Sequence, residues 1–346
     1  MQINESLKKE RINYIDAMRG FTIILVVYSH ICGMCLGNRW MGWNDIFFLF
    51  RLPCFFFISG WLFEKPERQW NRVTIRSIVK KKFLVQIVPT FIFLLLLAPP
   101  PLFFSRLGTT KGGYWFTFTL FIFFLLNIFS SWFVSKRNTK QQDILLFCFA
   151  LFISVLAFLY EAYYNRYFRY FGWLADGLGF LSLMTWRYYL FFYVGAFVKR
   201  HYEAFLRLTN KPLVILLVII GFGFIAKNPH TENIPLAYFI FSIGGILGMI
   251  LVFTLFRLFY THRFSQITHH SLEYVGTRTL DIYLLHYFLL PRFLLPCGEQ
   301  LQLYHKTLLE FIVALTLALI IVGLCLVISH IIRLNPFLAR YLFGVK

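Results

Sequence analysis

No stretch of this chain is long enough, or polar enough, to form a separate soluble domain. Internal repeats are missing, which argues against a transporter built from inverted repeats. The first apolar run has basic residues ahead of it (Lys8, Lys9, Arg11) but no clear small-x-small cleavage site. It therefore reads as a retained helix and not as a signal peptide. Acidic residues are scarce, 15 against 34 Lys and Arg, giving a formal charge of +19. That surplus raises nucleic-acid binding as a possibility. In a membrane chain basic loops on the cytoplasmic side explain it better, so no nucleic-acid partner is expected. The six cysteines (Cys32, Cys35, Cys54, Cys148, Cys297, Cys325) lie in or beside apolar runs. Cys32 and Cys35 are helix neighbours close to His30, yet no second ligand cluster matches them. They read as small core residues, and no metal site is expected.

What the chain has is apolar surface. Of its 346 residues 59% are hydrophobic and 21% aromatic, and the mean hydropathy is +0.67. Soluble domains do not have this composition. The apolar runs are too long for barrel strands, and unpaired backbone cannot face lipid, so the expected fold is all-α: a polytopic bundle of membrane helices. Ten segments can be read, at about 17–37, 46–63, 83–104, 114–134, 144–160, 181–198, 213–226, 236–256, 280–296 and 308–332. With the N-terminus inside, 24 of the 34 Lys and Arg residues fall on or at the inner end, 8 on or at the outer end, and Arg51 and Arg292 are assigned to neither side. That bias predicts an even helix count and both termini in the cytoplasm. The expectation is one multi-pass domain over residues 1–346, with its core at about 14–333, in contact with lipid in the cytoplasmic (inner) membrane.

Ionisable residues inside the apolar runs are costly, so they mark candidate sites. Arg19 and His30 share the first run. Eleven residues at about 100° each bring His30 back to within roughly 20° of Arg19, about 16 Å further along the helix. A neutral imidazole can take a proton from a hydroxyl, and a guanidinium suits a phosphate. The pair reads as an anion anchor below and a base above, although a histidine bonded between packed helices has the same spacing. Asp16 lies near the same face, where it either holds Arg19 or simply starts the helix. Arg51, just before Pro53 in the second run, either binds a substrate or pairs with Asp45. Trp115 opens the fourth run, as an interfacial belt residue or a platform for a sugar ring. His286 is a second intramembrane imidazole, which either lines a cavity opposite His30 or packs against a neighbouring helix. Its helix opens with Asp281, about 140° away around the axis. The segment from Glu64 to Lys82 carries seven cations, Arg76, Lys80, Lys81 and Lys82 among them. It either anchors to anionic lipid or docks a cytosolic polyanion such as coenzyme A. The aromatic loop at about 161–180 lies along the outer interface or covers a cavity.

Four stretches resemble the acyltransferase 3 family of membrane O-acyltransferases. They are Ile15-Asp16-Ala17-Met18-Arg19-Gly20 with Val26-Val27-Tyr28-Ser29-His30; Leu52-Pro53-Cys54-Phe55-Phe56-Phe57-Ile58-Ser59-Gly60; Tyr114-Trp115-Phe116 with Leu120; and Thr279-Leu280-Asp281-Ile282-Tyr283-Leu284-Leu285-His286. The proline in the second is most similar to the fucose 4-O-acetylase-like branch. The resemblance implies a donor, cytosolic acyl-coenzyme A (acetyl-coenzyme A), and an acceptor hydroxyl on a cell-envelope glycan or lipid-linked sugar. It also implies a catalytic His30 with a supporting Arg19. The family's paired basic motif before the third helix is only half present here. Lys82 stands at its first position and Val85 where an arginine is expected, which leaves the neighbouring lysines to hold the donor. The rival reading is a transporter or flippase of a lipid-linked sugar or acyl group, which the same intramembrane charges would serve.

Overall fold

A computed structural model describes residues 13–37, 43–65, 67–97, 111–163, 181–227, 231–261, 266–303 and 307–345, and every element among them is helical. In chain order the helices are α1 (Asn13–Met34), α2 (Trp43–Phe63), α3 (Arg72–Lys82), a π-helical turn (Phe83–Ile87), α4 (Val88–Leu97), α5 (Trp115–Val134) and α6 (Thr139–Tyr163). After a 3₁₀ turn (Leu183–Tyr188) come α7 (Tyr189–Arg200), α8 (Tyr202–Thr209), α9 (Pro212–Lys227), α10 (Ile234–Thr261), α11 (Gln266–Thr277) and α12 (Thr279–Leu289). The chain closes with α13 (Leu295–Leu303), α14 (Thr307–Arg333) and α15 (Pro336–Phe343).

Among the described residues six helices are long and apolar enough to cross a membrane: α1, α2, α5, α6, α10 and α14. Two bent pairs, α8 with α9 and α12 with the 292–303 segment, raise this to eight. The other two expected segments border residues outside the described set, 98–110 and 164–180. Pro99-Pro100-Pro101 and most of the aromatic loop lie outside it too. The expected segment at 280–296 is not one continuous helix. Proline disfavours helical backbone in the residue before it, and Leu290, ahead of Pro291, is extended (φ −66°, ψ 120°). The chain therefore leaves α12 there and restarts at an angle of 56°. Gly221 and Gly223 do not interrupt α9.

The outward faces of α6, α9 and α14 carry exposed Leu, Ile and Phe such as Leu145, Phe152, Leu217, Phe224, Ile320 and Val327. An apolar girdle of this extent is stable in lipid and a liability in water. Apolar area gives no net drive for helices to associate inside a bilayer, so close packing must hold the bundle. Two crossings supply it. At the α2–α7 crossing a Cβ on Gly60 would land on the Phe192 carbonyl, and one on Gly195 on the Phe57 carbonyl. At the α1–α11 crossing Gly20 meets the Leu272 carbonyl and Gly276 the Asp16 carbonyl in the same way. Only glycine lets the backbones approach this closely. Helix α2 buries most of its residues, on more than one side, and is accordingly central. Phe56 packs into an aromatic cluster with Phe116, Phe123 and Tyr188, while Phe57, 100° round the axis, joins Trp61 and Phe253.

Candidate functional site

One cavity of about 400 Å³ opens within the bundle. Helix α1 lines it with Ile23, Val26, His30 and Gly33, and α2 with Phe48, Arg51, Leu52 and Phe55. Both sets follow the three-and-four spacing of a single helix face, so two adjacent stripes form opposing walls. Trp115 and Phe116 of α5, Tyr160 and Glu161 of α6, Arg187 and Tyr188 of the 3₁₀ turn, and Tyr283 and Tyr287 of α12 complete the lining. Its elements contribute the ends remote from the basic residues at Arg19 and Lys80–Lys82. The cavity size is that of a small-molecule site, and its walls are mostly aromatic with a few charged groups.

His30 is half-buried and reaches the cavity. Its Nε2 lies 3.2 Å from the Tyr287 hydroxyl. The Tyr287 hydroxyl in turn donates to the Gly113 carbonyl at 3.0 Å. That carbonyl also receives the Tyr283 hydroxyl at 3.0 Å, and the Phe116 N–H donates to Tyr283 at 3.2 Å. Arg51 is buried in the wall. Its Nη1 donates to the Asn44 side-chain oxygen (3.0 Å) and, at 3.5 Å, to the Asn44 carbonyl, and its guanidinium lies over the Phe48 ring at 5.3 Å. Trp115 stacks on Tyr188, with ring centroids 6.3 Å apart and planes 26° apart, and so presents a flat double platform to the cavity. Glu161 and Arg187 form an ion pair across the opposite wall.

His286 does not line the cavity. It is fully buried behind it, with its ring 5.2 Å from that of His30 and 4.1 Å from that of Tyr287. Its Nδ1–H donates back to the Tyr283 carbonyl at 2.8 Å and sits 3.1 Å from the Ile282 carbonyl, leaving Nε2 with no hydrogen-bond partner. The reading of His286 as a packing residue thus describes its surroundings, and it supports Tyr287 from below.

Arg19 stands apart from the cavity, whose lining on α1 reaches Ile23, one turn away. Arg19 Nη2 donates to Thr279 Oγ1 at 2.7 Å, and Nη1 is 3.8 Å from Asp16. Helices α1 and α12 therefore run side by side, meeting at Arg19 with Thr279 and again at His30 with Tyr287. Asp16 is buried at the α1–α11 seam, away from the cavity. On the basic side Lys82 is half-buried over the Phe124 ring at 3.8 Å. Burial first, and then the charges of Lys81, Arg19 and Arg68, hold its ammonium down to about 8. Arg68 Nη2 donates to the Phe63 carbonyl at 2.8 Å, while its Nη1 is buried with no hydrogen-bond partner. These cations form a cluster that a phosphate would neutralise. Arg76, Lys80 and Lys81 are exposed along α3, whose Ile75, Ile78 and Val79 pack inward.

Residues 12–330 match the acyltransferase domain, which makes this a membrane acyltransferase. The chain belongs to the acyltransferase 3 family. No curated protein and no solved structure matches it.

Reading the sequence alone singled out His30, Arg51 and Trp115, which the fold brings to one cavity. It missed Tyr287, Tyr283, Gly113, Glu161 and Arg187. The i, i+4 pair Tyr283/Tyr287 on the helix that carries His286 was a usable signal for the tyrosines, as was the Gly112-Gly113 doublet before α5.

Proposed function

We propose that this protein is an O-acyltransferase of the cytoplasmic membrane. It takes an acyl group, in this reading acetyl, from cytosolic acyl-coenzyme A and esterifies a hydroxyl of a cell-envelope glycan or lipid-linked sugar. The single observation that carries this reading is the placement of His30. It faces a cavity walled by stacked aromatic rings and Arg51, while its own helix carries Arg19 toward a cation cluster at the opposite end.

The chemistry follows from that division. Arg19, Arg68 and Lys82 bind the phosphates of the donor, and the exposed Arg76, Lys80 and Lys81 attract it. The pantetheine arm then has to pass one helical turn, about 6 Å, between Arg19 and Ile23 to present the thioester at the cavity floor. The acceptor sugar stacks on Trp115 and Tyr188. His30 removes the hydroxyl proton as the oxygen attacks the thioester carbonyl, and the tetrahedral intermediate collapses by expelling the coenzyme A thiolate. The imidazolium then returns the proton to that thiolate. A two-step relay, with the acyl group resting on His30, uses the same residues.

Membranes containing the protein, given acetyl-coenzyme A labelled in the acetyl group, test this reading. Label transferred to extracted glycan and released by mild alkali supports it. A transporter leaves no ester, so unlabelled glycan from membranes with abundant protein would overturn it.

A further inference from the structure

Glu161 lines the same cavity as His30 and Trp115, and neither proton transfer nor donor binding calls on it. It accepts a hydrogen bond at Oε2 from Arg187 Nη1. Arg187 is fixed from several directions. Its guanidinium lies 5.3 Å from the centre of the Tyr188 ring and 4.9 Å from that of Phe241. Its backbone carbonyl accepts from Ser154 Oγ at 2.7 Å, and Ser154 in turn receives the Tyr238 hydroxyl at 3.2 Å. Ser154 and Glu161 are two turns apart on one face of α6, so that helix grips the 3₁₀ turn at two points. The carboxylate is thereby held beside the Trp115–Tyr188 platform. Pairing with Arg187 offsets the cost of a charge inside the bundle, yet it does not bury the anion. The Glu161 side chain is 36% exposed and that of Arg187 18%, so the carboxylate is the partner that faces the open space. A carboxylate can accept about four hydrogen bonds, and the one from Arg187 leaves most of that capacity.

A pyranose that lays its apolar C–H face on an aromatic ring turns its equatorial hydroxyls outward, around the rim of that ring. Each hydroxyl has one proton to donate, and bonds to an ionised acceptor are the strong ones. We infer that Glu161 recognises the acceptor: its carboxylate takes hydrogen bonds from two neighbouring hydroxyls of a pyranose stacked on Trp115 and Tyr188. Arg187 is the positioning residue that holds the carboxylate in register. The ligand class is a sugar ring with a free vicinal diol, set beside the hydroxyl that reacts at His30. Calling that sugar the acceptor rests on the acyltransfer reading above; its binding at Glu161 does not.

The test uses the full chain in lipid nanodiscs. The probe is glycan extracted from membranes that contain the protein and stripped of its esters by mild alkali. Equilibrium binding without any acyl donor gives a Kd, and acyl transfer at varied glycan gives KM and kcat. Glu161→Gln keeps the shape and an acceptor oxygen for Arg187 but removes the charge. It is expected to weaken Kd and acceptor KM by about tenfold or more, as loss of a hydrogen bond to a charged group does, with kcat and donor KM within about twofold. Leaving Arg187 without a counter-charge can also unfold the protein. The second variant therefore combines Glu161→Gln with Arg187→Gln, which leaves no unpaired charge. It is expected to restore the folded protein without restoring glycan affinity. A wild-type Kd in either variant overturns the inference, and so does a loss confined to kcat. Glycan that binds the wild type, loses affinity in Glu161→Gln and is never esterified would instead sink the acyltransfer reading and leave Glu161 standing as a sugar ligand.

Discussion

Asp281 is buried at the start of α12, with 1% of its surface exposed, and it ties that helix to α14. Ser329 donates to it, and Arg333 donates from Nε at 2.8 Å and Nη2 at 2.9 Å; Arg278 Nη1 stands 3.8 Å away. Asp281→Asn keeps the shape, removes the charge and turns an amide N–H₂ toward a guanidinium. Breaking one side of a fully buried pair costs about 3–5 kcal/mol. The Arg333 side chain is 22% exposed and can recover some hydration, so the lower end of that range, about 3 kcal/mol, is expected. That is a loss of roughly a hundredfold in the folded-to-unfolded ratio. Reversible unfolding in mixed dodecyl sulfate and maltoside micelles, followed by tryptophan fluorescence, reads it directly. Arg333→Gln should give a similar loss, and the double variant much less than the sum, because the two residues share one interaction. A wild-type midpoint for Asp281→Asn, or strict additivity in the double variant, would refute the clamp. Because α12 also carries Thr279 and Tyr287, loosening this end should blur the contacts at both Arg19 and His30.

Two further outcomes follow from the packing and the cation cluster. Gly60→Ala should lower stability by about 1–3 kcal/mol, since the new methyl group meets the Phe192 carbonyl and α2 and α7 must part; the same micelle titration measures this, and an unchanged midpoint contradicts the crossing. Burial holds the Lys82 ammonium down to about 8, so it is charged below that pH and neutral above it, and kcat/KM for the acyl donor should fall as pH rises past about 8. Lys82→Arg should remove that alkaline fall, whereas Lys82→Gln should lower kcat/KM by about tenfold at pH 7, the loss of one partly exposed charged contact. A donor profile in Lys82→Gln identical to wild type would remove Lys82 from the donor site.

Much of this was written along single helices. The stripe that puts Ile23, Val26, His30 and Gly33 on one face of α1 is a property of 3.6-residue periodicity, and so is the companion stripe through Arg51 on α2. What periodicity cannot supply is distance between elements. It placed Arg19 and His30 on one face, but not that Thr279 meets the first and Tyr287 the second, 260 and 257 residues away in the chain. The Gly113 carbonyl reaches Tyr287 across 174 residues, through a backbone oxygen that has no signature in side-chain pattern. The break before Pro291 was legible as a proline, yet the long apolar run around it masked its effect. Asp281 read as a helix start; only the approach of α14 made it a clamp.

The decisive measurement is acyl transfer by a His30→Ala protein present in membranes at wild-type abundance. Loss of labelled ester by a hundredfold or more, about the contribution of a general base, is the result predicted here, with donor binding to the Arg19 and Lys82 end retained. Transfer at the wild-type rate would contradict the assignment of His30 as the reacting imidazole, and with it the division of the protein into a donor side and an acceptor side.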